Sequence, residues 1–121
     1  MIERIDAPEG VVAFKAVGTV EAEDYGSVLR PAVQGAMAGG KKVRIVFVLG
    51  PEFSGYSAGA AWEDAKLWAP HLTGWDRCAV VTDHTFLGDT IRAFAVIMPG
   101  EIKVFPVAEL DAALAWAAAS S

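Results

Sequence analysis

Ser57 lies in the stretch Glu52-Phe53-Ser54-Gly55-Tyr56-Ser57-Ala58-Gly59, between an apolar run and a helical pattern, and is the hydroxyl best placed for chemistry. A serine just ahead of a helix has two roles open to it. Its oxygen can cap the free N–H groups of the first turn, or it can carry a phosphate that the positive helix end favours. Capping is the ordinary role and the one expected here. Other chemistries fit this stretch poorly: no Lys follows Gly59 to complete a nucleotide cradle, and Phe53-Ser54-Gly55-Tyr56-Ser57 is not a Gly-x-Ser-x-Gly elbow. Asp83-His84 closes a predicted strand, a usual place for ligands in α/β sheets. Without a nucleophile beside it the pair is half a hydrolytic site, and a turn or cap role is expected. Cys78 is the one cysteine, so an internal disulfide is excluded, and with His71 and His84 alone it cannot complete a structural zinc site. Its neighbours Ala79, Val80 and Val81 mark an inert buried thiol. No catalytic residue, metal or cofactor is assigned, and the chain is expected to be non-enzymatic.

Aromatic side chains gather around the same stretch. Core packing is their common use, and the alternative is the wall of an apolar pocket or an interface. Phe53, Tyr56, Trp62, Trp68, Phe86 and Phe94 are the candidates for that second role. Of the 121 residues 54% are hydrophobic, and 22 are alanine. This excess leaves apolar surface for a small molecule or lipid, a membrane surface, a protein partner or a second subunit, and a homodimer is expected. The formal charge of −5, with no basic block longer than Lys41-Lys42, argues against nucleic acid. Charges at Glu3, Arg4 and Asp6 interrupt what would be the apolar core of a signal peptide, and no apolar run reaches spanning length. A cytoplasmic protein with no transmembrane segment is expected.

The elements that must position these residues follow from periodicity. Length implies one domain over residues 1–121. Residues 2–6 and 10–17 flank the turn signal Ala7-Pro8-Glu9-Gly10 and predict a hairpin. From Tyr25, the positions Val28, Leu29, Ala32, Val33 and Ala36 stripe one helix face, with acidic Glu21, Glu23 and Asp24 at its start. Pro31 predicts a kink or a missing hydrogen bond, and Gly39-Gly40 a stop. Val43 to Leu49 is apolar almost throughout, which predicts a central strand covered on both faces. After the Ser57 stretch, read as a loop, Ala58, Ala61, Trp62, Ala65 and Trp68 stripe a second helix. Residues 76–82 predict a strand, Leu87, Ile91, Phe94 and Met98 a third helix, residues 101–105 a strand, and Leu110, Ala113, Leu114 and Ala117 a last helix clamped by Trp116. The order ββαβαβαβα implies an α/β fold: a mixed sheet of about five strands, an amino-terminal hairpin followed by βα units, and about four helices.

The segments VEAEDYGSVLRPAV (20–33), VRIVFVLGPEF (43–53), AAWEDAKLW (60–68), RCAVVTD (77–83) and VFPVAELDAALAW (104–116) resemble the SpoIIAA-like family, small bacterial domains of the STAS fold also described as similar to Sec14. The resemblance implies a mixed sheet with helices on it, a non-enzymatic role, and binding of apolar molecules or membranes. STAS proteins that antagonise anti-sigma factors carry a phosphorylated serine in an Asp-Ser-Ser-Gly motif. Here that motif falls on Gly55-Tyr56-Ser57-Ala58; Ser57 matches, and the other three positions differ. The resemblance thus implies two functions: a domain binding an apolar ligand or lipid, and a protein-interaction switch phosphorylated at Ser57.

Overall fold

A computed structural model describes residues 1–38, 42–59, 62, 75–85, 89, 92 and 101–119. Five strands form one sheet in the order β1 (Ile2–Ile5), β2 (Val12–Ala16), β4 (Val43–Leu49), β6 (Trp75–Thr82) and β7 (Glu101–Phe105). The opening hairpin pairs β1 with β2 antiparallel, and every later pairing in this sheet is parallel. The strand predicted to be central is central.

Alternation along the strands gives the sheet two apolar faces. Phe14, Ile45, Phe47 and Val80 point to one cluster, whereas Ala13, Val46, Val48, Ala79 and Val81 point to the other. A helical run covers the first face. It starts as α1 (Ala22–Asp24), widens into a π-helical stretch (Tyr25–Leu29) and continues as α2 (Arg30–Ala36). Its start is tied by the Glu21 N–H, which donates to Asp24 Oδ2 at 2.8 Å. Pro31 explains the wide turn: it has no N–H to give, and the Arg30 N–H ahead of it reaches five residues back to the Tyr25 carbonyl. Tyr25, Leu29 and Val33 from this run are almost fully buried, each worth about 1.5–3 kcal/mol of transfer free energy. Helix α3 (Leu110–Ala118) covers the second face through Ala113 and Ala117, whose methyl groups allow close approach to the sheet.

Two expectations change. Among the described residues the sheet carries two helical layers, the run over residues 22–36 and α3, rather than about four. The stripes predicted from Ala58 and from Leu87 fall mostly outside the described residues, as does the stop at Gly39-Gly40; within them Ala58, Gly59, Trp62, Thr85, Asp89 and Arg92 have helical backbone. The second change concerns the stretch read as a loop. Residues Phe53–Tyr56 form a strand, β5, which pairs in parallel with β3 (Gly18–Val20) in a separate two-stranded sheet. Neither strand has an alternating apolar pattern, and each depends on a partner distant in the chain, so local sequence carries no signal for them.

Candidate functional site

The carboxyl ends of β4 and β6 open onto the turn before β5 and onto Asp83 and His84. Gly50 and Glu52 bring the chain round: the Phe53 N–H donates to the Gly50 carbonyl at 3.1 Å, and the Gly18 N–H to the Glu52 carbonyl at 2.6 Å. Lys15 on β2 donates from Nζ to Glu52 Oε1 at 3.0 Å and so ties the main sheet to this turn. That hydrogen bond and the Glu52 charge raise the Lys15 pKa above its ordinary value of 10.5. Gly55 follows with φ +140°, a conformation that a residue with a side chain rarely adopts, which is why a glycine interrupts β5.

Of the aromatic candidates, Phe53 is half-buried against the first core cluster and meets the His84 ring edge-on, with centroids 6.1 Å apart. Tyr56 pairs through its backbone with Val20. Trp62 is not core: it is 65% exposed. Trp68, Phe86 and Phe94 lie outside the described residues, so the structure brings together Phe53 and His84 but does not test the wider cluster. Ser57 is half-buried directly before the helical backbone of Ala58 and Gly59, and its own N–H donates to the Val20 carbonyl at 2.9 Å.

Asp83 and His84 divide their work. Asp83 Oδ1 accepts the N–H of Val107 at 3.1 Å, which caps the 3₁₀ turn Val107–Glu109 leading into α3. The His84 N–H donates to Thr82 Oγ1 at 3.1 Å while its ring packs on Phe53. Asp83 is thus held as a cap. Among the described residues no three His, Cys, Asp or Glu side chains gather as a metal site, and none of the helices is long and apolar enough to cross a membrane. Cys78 is half-buried against the first cluster rather than fully enclosed.

Sequence reasoning passed over two arginines. Arg44 and Arg77 are the basic residues within the mainly apolar strands β4 and β6, and the structure aims both at the carboxyl end of α3. Nη1 of Arg44 donates to the carbonyls of Ala117 (2.9 Å) and Ala119 (2.6 Å), while its Nε donates to Asp76 Oδ2 at 2.9 Å. Arg77 is buried; its Nη1 donates to the Trp116 carbonyl at 2.6 Å and its guanidinium stacks 5.1 Å from the Trp116 ring centre. Its Nε lies 3.0 Å from Glu101 Oε2 as an ion pair, without the alignment of a hydrogen bond. A basic residue within a mainly apolar strand was the signal that could have found each of them.

The comparisons with known proteins agree with this architecture. A family profile described as SpoIIAA-like matches residues 11–118. A solved structure of an uncharacterised protein with a SpoIIAA-like fold from Shewanella loihica PV-4 is similar at 30% identity and a TM-score of 0.77, over 96% of this chain and 91% of that one. No curated protein shows a significant match to the sequence. With a profile match over most of the chain and a solved structure of SpoIIAA-like fold 30% identical to it, this protein belongs to the SpoIIAA-like family.

Proposed function

We propose that this SpoIIAA-like, STAS-type domain is a non-enzymatic cytoplasmic protein that binds an apolar small molecule or lipid, and that it works as a homodimer. The observation that carries the reading is Trp62, a large aromatic left 65% exposed on helical backbone shortly after β5. Burying an indole in water-free contact is worth several kcal/mol, about as much as any one side chain can supply, so an exposed one offers surface to a ligand, a membrane or a second subunit. Phe53, half-buried at the carboxyl ends of the parallel strands, supports the same end of the fold as the binding end.

Native mass spectrometry of protein purified from its own host tests this. An added mass that leaves on denaturation, and is lost in Trp62→Ser, is the expected outcome. Bare protein that also binds neither fatty acids nor phospholipid vesicles sinks the proposal.

A second reading is the interaction switch, supported by the place of Ser57 immediately before helical backbone; it calls for an exposed Ser57, and the side chain is half-buried. It expects one phosphate that survives denaturation, and a partner lost in Ser57→Asp but kept in Ser57→Ala. Equal partner binding by both variants would count against it.

A further inference from the structure

A groove of about 560 Å³ opens at the opposite end of the sheet, where β2 and β4 begin. One wall is the sheet, through Val12 and Val43. The other is the flank of α2, through Pro31, Ala32, Gly35 and Ala36. None of these four helix residues has a side chain that extends across the gap, and a Cβ placed on Gly35 would meet nothing within 4 Å. The space exists because the helix flank is built of small residues. Its volume falls within the roughly 300–1,000 Å³ of ordinary small-molecule sites.

Two cations line this groove: Arg4 from β1 and Lys42 just before β4. Both are exposed, and among the described residues neither has an ion-pair or hydrogen-bond partner. By contrast, Lys15, Arg44, Arg77 and Arg92 each face a carboxylate. Two unpartnered positive groups beside a cleft with aliphatic side chains on both walls complement one kind of small molecule. We propose that the groove binds a small amphiphilic organic anion, its carboxylate or phosphate head held by Arg4 and Lys42 and its short apolar body lying between Val12, Val43 and the α2 flank. Arg4 supplies a planar fork for two oxygens and Lys42 a point charge, so the pair recognises the head while the valines and alanines exclude water from the tail. The inference stands apart from the aromatic end, because the groove shares no residue with it.

Titration of the full chain with decanoate and with decyl phosphate, followed by amide chemical shifts, tests the assignment. Saturable shifts centred on Val12, Gly35 and Val43 are expected with at least one of the two, and which one identifies the head. Arg4→Gln combined with Lys42→Gln is expected to weaken binding about tenfold or more, since two charge-assisted contacts are lost. Gly35→Leu is expected to fill the groove and abolish the shifts at Val12 and Val43. Non-saturable shifts with both probes overturn the proposal, as does equal affinity for decan-1-ol or for inorganic phosphate alone. Binding that persists in both the charge variant and Gly35→Leu but disappears in Trp62→Ser places the ligand at the aromatic end and also overturns it, leaving the reading of that end intact. The charge variant alters only exposed side chains and decides the matter even if Gly35→Leu folds poorly.

Discussion

Arg44 and Arg77 stand opposite each other in the register of β4 and β6, and both donate to the last carbonyls of α3. Two guanidinium groups side by side would repel, yet Asp76 and Glu101 neutralise them and the negative end of the helix gives both a common target. The arginines therefore fasten α3 to the second face of the sheet at its carboxyl end, while Ala113 and Ala117 fasten its middle by contact.

Removing Arg77 should cost more than removing Arg44. Arg77 is buried, and its loss leaves the Trp116 carbonyl and ring without their partner. Arg77→Ala is expected to lower stability by about 2–3 kcal/mol, and Arg44→Ala by about 1–2 kcal/mol, because its partner Asp76 keeps access to water. Urea denaturation of the two single variants and the double variant measures both, and their coupling shows whether the two arginines act on α3 together.

Gly55 should resist substitution. Its φ of +140° suits glycine alone, so Gly55→Val is expected to destabilise by roughly 1–3 kcal/mol or to unpair β5 from β3. Hydrogen exchange at the Ser57 amide, bonded to the Val20 carbonyl, separates these outcomes: early exchange without global loss means local unpairing.

Gly35 should behave in the opposite way. It lies in α2 with ordinary helical backbone and open space where a Cβ would go, so Gly35→Ala is expected to stabilise by about 0.5–1 kcal/mol through helix propensity. A lowered thermal midpoint would mean that the flank is more crowded than the groove requires.

The Lys15–Glu52 contact predicts a pH dependence on the alkaline side. Folding raises the Lys15 pKa, so its contribution is fully present below the unfolded value and is lost as pH rises through the folded one, above 10.5. The difference in urea midpoint between wild type and Lys15→Met should be constant near neutrality and shrink only above that value. A difference that instead fades in mild alkali would show that Glu52 does not hold the lysine.

Asp83→Ala should cost about 0.5–2 kcal/mol, since it leaves the Val107 N–H at the start of the last helical turn without its cap. Asp83→Asn should recover most of this. If both variants were equally damaged, the carboxylate would have a role beyond capping.

Much of the scaffold was legible residue by residue. The unbroken apolar run from Val43 to Leu49 implied burial on both faces, and β4 sits in the middle of the sheet with a core on each side. The turn signal around Pro8 and Gly10 implied the hairpin, and the Tyr25, Leu29, Val33 stripe implied the helix face that the first core cluster buries. Pro31 implied a defect, and the π-helical stretch ahead of it is that defect. The candidate site was less legible. Phe53 and His84 are far apart in sequence and nothing in either segment announces the other, while Asp83 looks the same on paper whether it caps a turn or polarises a histidine.

By itself the sequence determined the order and type of the main strands and helices, and the two-sided core, because periods of two and of about three and a half residues are properties of a single segment and its solvent. Tertiary structure alone decided that Gly18 pairs with Phe53, that Arg44 and Arg77 meet the end of α3, and that small residues on α2 leave a groove beside Arg4 and Lys42. Those features depend on which distant groups are brought within a few ångströms, and hydrogen bonds, ion pairs and cavities have no energy until that has happened.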